Sequence, residues 1–68
     1  MDRANIRALR ILLLEAWKVK DYETVKKISD DLGPRIILNI CSFTNNYDLL
    51  RFILNLSDEW RLAILAEL

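Results

Sequence analysis

The chain has 68 residues, 53% of them apolar, with ten basic side chains balanced by ten acidic ones and no histidine. That length holds one domain at most, here residues 1–68, and a zero net charge lacks the strongly basic footprint of a dedicated nucleic-acid binder. A lone cysteine, Cys41, excludes an internal disulfide and, without histidine, a zinc site of the usual Cys/His kind within one chain.

The first segment, Asp2 to about Lys20, carries Ile6, Leu9, Leu13, Ala16 and Trp17 at helical spacing, with Leu12 and Val19 widening the stripe. Asp2 stands at the N-cap position, and Lys18 and Lys20 stand at the end where a helix favours cations. Asp21 caps a second helix, Tyr22 to Leu32, whose narrow stripe of Tyr22, Val25, Ile28 and Leu32 leaves Lys26, Lys27, Ser29, Asp30 and Asp31 for solvent. Gly33 followed by Pro34 ends it, because glycine suits the position past a helix end and proline cannot continue the turn.

Residues Leu32 to Phe43 hold the chain's only Gly, Pro and Cys. Ile36, Ile37, Ile40 and Phe43 would also suit a strand. However, Asn39 and Ser42 lie three apart, as on a helix face, and Pro34 is pre-set for a first helical position. A third helix from Pro34 to Phe43 is expected. Thr44, Asn45 and Asn46 supply turn chemistry before a fourth helix, Tyr47 to Leu56. Ser57, Asp58 and Glu59 start a fifth, with Trp60, Ile64, Leu65 and Leu68 on one side. The fold class is therefore all-α, a compact bundle or orthogonal array of about five short helices. A chain this short has too little interior for so many apolar side chains, so oligomerisation is expected to complete it.

Two stretches carry partial resemblances. Thr24 to Gly33 resembles the first helix and turn of the helix-turn-helix DNA-binding motif, with Ile28 and Leu32 inward. It implies a reading helix at Arg35 to Phe43, with Asn39 and Ser42 as further readers, but such a helix needs a polar, basic outer face. Arg35 is the only cation there, and Asp30 and Asp31 beside the turn would repel phosphate. Leu12 to Lys27, with Ala16-Trp17 and Asp21-Tyr22-Glu23, resembles the middle of a tetratricopeptide repeat, a two-helix unit of protein-binding solenoids. Such a unit needs stacked neighbours, and no second copy follows at that family's period of about 34 residues.

Charge alternates along the chain. Residues 1–20 carry five cations against two anions, 21–33 two against four, 34–56 two against one, and 57–68 one against three. Positive and negative patches of this kind can meet across an interface between copies. Arg3, Arg7 and Arg10 line one face of the first helix and, with Arg35, are the candidate nucleic-acid contacts; a solvated face, or one meeting Asp58, Glu59 and Glu67 of a partner, is the plainer reading. Trp17 and Trp60, with Ile64 and Leu68, are the candidate protein-interface residues, since large aromatics dominate binding energy.

Catalytic chemistry is missing. Cys41 has no histidine base, and Asp30–Asp31 and Asp58–Glu59 are adjacent pairs, which do not face each other on a helix. No enzyme activity, cofactor or metal is expected. Ile11–Leu14 is too short for a signal-peptide core and is followed by Glu15, so a cytoplasmic, reducing location without membrane contact is expected. The function expected is that of a small non-enzymatic regulator, adaptor or inhibitor that binds itself and a protein partner. The alternative is a DNA- or RNA-binding regulator using the basic first helix or a degenerate helix-turn-helix at 24–43.

Overall fold

Every connection between helices is three residues long or a single one, and each is closed by backbone geometry that the sequence supplies locally. The computed structural model describes residues 3–68, which form five α-helices: α1 (Arg3–Lys18), α2 (Tyr22–Leu32), α3 (Pro34–Phe43), α4 (Tyr47–Leu54) and α5 (Asp58–Glu67). The all-α expectation holds, and no strand occurs among the described residues. Asp2, the expected first cap, lies outside them. The helices divide into two units, residues 1–32 and 33–68.

In the first unit α1 packs against α2. The first helix ends at Lys18, two residues before the expected Lys20, because the chain enters a left-handed cap. The Asp21 amide donates to the Ala16 carbonyl at 2.8 Å and the Lys20 amide to Trp17 at 3.1 Å, with Lys20 at φ 62°. This is the paired-bond cap usually given to glycine, here built on a lysine. Asp21 caps α2 as its sequence position implies. Its carboxylate accepts from the Thr24 amide at 3.4 Å and from the Thr24 hydroxyl at 2.7 Å.

The buried side chains of this unit are Leu13, Ala16, Val25, Ile28, Leu32 and Ser29. Ser29 corrects the sequence reading, which placed it in solvent. Its hydroxyl donates to the Val25 carbonyl one turn back at 2.7 Å, so burial leaves no unpaired polar atom. Leu12 and Val19 are a second correction: Leu12 lies on the exposed side of α1 and Val19 in the turn after it, both exposed, and neither widens the buried stripe.

In the second unit α3, α4 and α5 pack mutually. The third helix runs over the expected residues, with Pro34 in its first turn and Gly33 at φ 89°, ψ 165°. That backbone region is essentially glycine's alone. A second left-handed cap, at Asn45 (φ 56°), ends α3 through Asn46 N–H to Cys41 O at 2.9 Å and Asn45 N–H to Ser42 O at 3.3 Å. The fourth helix stops at Leu54 rather than Leu56: the Leu56 amide donates to the Ile53 carbonyl, three residues back, at 3.1 Å, and the Asn55 side-chain amide adds a bond to the Arg51 carbonyl at 2.9 Å. Ser57 caps α5 by accepting from the Trp60 amide at 3.1 Å.

The core of the second unit is Ile37, Ile40, Cys41, Leu49, Ile53 and Ile64. Phe43 is 82% exposed at the end of α3. Leu65 and Leu68, expected beside Ile64, are also exposed. At 100° per residue Leu65 has already turned away from the side that Ile64 buries, and Leu62 points opposite to it.

Candidate protein interface

A helix whose sequence is apolar on two sides can bury only one of them against a single neighbour. Both α1 and α5 are of this kind. On α1 the buried side is marked by Leu13 and Ala16, while Ile11 and Leu12 stand exposed on the other, with Val19 exposed just past the helix end. On α5 Ile64 is buried, and Leu62, Leu65 and Leu68 are exposed, Leu62 by 67%. Among the described residues nine large apolar side chains are exposed, and six of them belong to these two outer faces. The other three are Tyr22, Phe43 and Tyr47, the last two at either end of the connection from α3 to α4.

Charged residues are set among these apolar ones. On the outer face of α1, Arg7, Glu15 and Lys18 are exposed at helical spacing beside Ile11, and Arg3 lies one turn before Arg7. On α5 the first turn carries Asp58 and Glu59, followed by Arg61. Arg61 and Asp58 form an ion pair at 3.5 Å with both side chains largely in solvent. Such a pair contributes little to stability by itself, and its exposed atoms remain open to further partners.

The expected interface residues are differently disposed. Trp17 is half-buried, its ring centroid 5.9 Å from that of Tyr22 in a tilted arrangement typical of aromatic pairs. Trp60 is half-buried at the start of α5, held by the Ser57 cap. Ile64 is 1% exposed and backs the outer face from inside, whereas Leu68 is 83% exposed and available to a partner. The residues that the sequence reading missed are Ile11, Leu12, Val19 and Leu62. Leu12 and Val19, seven residues apart, merge in the sequence with the buried stripe, and Ile11 and Leu62 stand outside the stripes that spacing picks out.

The candidate nucleic-acid residues show Arg3, Arg7 and Arg35 exposed and Arg10 half-buried. Arg35 is the only cation on α3, and that helix buries Ile37, Ile40 and Cys41. One residue, Gly33, separates α2 from α3, against a turn of about three or four in the helix-turn-helix motif.

Cys41 sits in the core of the second unit, where burial pushes its thiol up to about 11 from an ordinary 9.0. A thiol of this kind stays protonated and unreactive in the folded chain. The unfolded thiol ionises first, so the unfolded state binds fewer protons between those two values and stability falls as pH rises through them. Urea unfolding from pH 8 to 10.5 will show this loss, and Cys41→Ala will reduce its slope. A thiol-specific reagent will label Cys41 at neutral pH only as fast as the chain opens.

Among the described residues no group of three or more His, Cys, Asp or Glu is placed to hold a metal ion, and no helix is long and apolar enough to cross a membrane. No buried side-chain nitrogen or oxygen among them lacks a hydrogen-bond partner. No protein-family model, no curated protein and no solved structure matches this chain.

Proposed function

We propose that this chain acts by binding, as a non-enzymatic helical module that self-associates and presents helical surface to a protein partner, in the manner of a small regulator, adaptor or inhibitor. One observation carries the reading. Leucine, isoleucine and valine side chains stand exposed along the outer faces of two helices that already bury their other sides. Clustered apolar exposure of this sort marks interaction surfaces, whereas scattered single residues do not. The location proposed with it is intracellular.

The test is the mass of the chain by light scattering after gel filtration, over a range of concentrations. A mass above the single-chain 8.0 kDa, rising with concentration, is expected. A monomer at every micromolar concentration overturns the self-association. Duplex DNA of random sequence, titrated at low and moderate salt, tests the rival reading. Binding with a steep salt dependence would replace the proposal with one based on Arg3, Arg7 and Arg10.

A further inference from the structure

We infer that the outer face of α1 on one copy packs antiparallel against the outer face of α5 on a second copy; this rests on the self-association proposed above and assigns its surface. Ala8, Ile11, Glu15 and Lys18 follow one another at intervals of three, four and three residues on α1, and all four are exposed. Asp58, Arg61, Leu65 and Leu68 follow at the same intervals at α5, and all four are exposed. Intervals of three and four residues keep side chains on one seam between paired helices.

Run antiparallel, the two seams match position by position. Asp58 meets Lys18, Arg61 meets Glu15, Leu65 meets Ile11, and the long Leu68 meets the small Ala8. Both charge pairs are of opposite sign, and the apolar half of one seam faces the apolar half of the other. Leu12, Val19 and Leu62 flank this seam, so one contact would cover all six of the exposed aliphatic residues.

No other pairing of these faces does as well. Two α1 seams in parallel set Glu15 against Glu15 and Lys18 against Lys18; antiparallel, they set Ile11 against Glu15. Two α5 seams in parallel oppose Asp58 with Asp58 and Arg61 with Arg61; antiparallel, they oppose Arg61 with Leu65. Running α1 and α5 parallel puts Leu65 on Glu15 and Leu68 on Lys18. Like charges in contact, or a charge forced against a leucine, cost free energy and reject those arrangements.

Each copy carries both faces, so the contact joins unlike surfaces; it generates a ring, of which a pair that uses it twice is the smallest, or an open chain of copies. A stable interface takes about 800 Å² from each partner, roughly a sixth of the chain's 4946 Å² of accessible surface. A pair that makes the contact twice contributes two helix faces from each copy toward that area.

A charge swap tests the register. Glu15→Arg and Arg61→Glu lie in exposed helical positions, and circular dichroism of each will verify that helicity is kept. Either change alone sets like charges together and is expected to weaken self-association about 3–10-fold by sedimentation. The double variant restores opposite charges and is expected to return to within about twofold of the parent. Leu65→Lys should weaken assembly about 10-fold or more. As a charge-independent measure, Ile11→Cys chains mixed with Leu65→Cys chains should form the mixed disulfide under mild oxidation in preference to either symmetric one. A parent that assembles normally, with single variants that assemble equally well or a swap that fails to rescue, overturns the α1–α5 register while leaving self-association standing. A parent that never assembles overturns both.

Discussion

Ile37→Lys is expected to unfold the three-helix unit at neutral pH. Ile37 is wholly buried in α3, and among the described residues no charged side chain is buried in its unit to pair with a lysine. A lysine there must either bury its charge or give up its proton. Losing the proton means a pKa depressed by about 3–5 units, at about 1.4 kcal/mol each. The result, about 4–7 kcal/mol, rivals the roughly 3–10 kcal/mol of total stability usual for a chain of this length. Circular dichroism should show the helicity collapse. Because the unfolded lysine binds a proton that the folded one lacks, stability of the variant should climb from pH 7 to 9, below the range in which Cys41 responds. Asn39→Lys, two residues on and exposed, should stay folded. The pair also weighs the two readings of residues 32–43. An Ile37→Lys chain that stayed folded and lost only DNA binding would restore α3 as a reading helix.

The helix boundaries were the most legible part of the sequence, because their determinants are local. Pro34 in the first turn of α3, Gly33 in a backbone region denied to other residues, Asp21 bonded to Thr24 and Ser57 bonded to the Trp60 amide all act within three residues of their own positions. What periodicity could not decide was which side of α1 and α5 faces inward. In α5, Trp60 and Ile64 make one apolar stripe and Leu62, Leu65 and Leu68 make another. Packing against α4 and the more distant α3 buries Ile64 and leaves the leucines outside. Ser29 escaped for a different reason. A serine that bonds its own helix's carbonyl carries almost no polar debt into the core, so its chemistry does not announce whether it is buried. The candidate interface was therefore half legible. Leu68 was named as a contact residue, but the tryptophans drew attention inward, and the exposed aliphatic seam emerged only once burial was known.

Leu13→Ala and Leu12→Ala should separate folding from assembly, although the two residues are neighbours of identical chemistry. Leu13 is fully buried in the α1–α2 unit, while Leu12 is 55% exposed on the outer face. Truncating a buried leucine removes its transfer free energy and leaves a cavity, together about 2–5 kcal/mol. With a urea dependence of about 1 kcal/mol per molar, as for small domains, the unfolding midpoint of Leu13→Ala should fall by about 2 M or more. That fall should be the same at every protein concentration, since it originates within one chain. Leu12→Ala removes a side chain that is more than half in water, so at high dilution its midpoint should fall far less than that of Leu13→Ala, by under about 1 M. As concentration rises, the parent should gain stability by mass action through its assembled form, and Leu12→Ala should gain less. A concentration-independent loss in Leu12→Ala equal to that in Leu13→Ala would mean that Leu12 belongs to the fold of the single chain, and the outer face of α1 would lose its role as a binding surface.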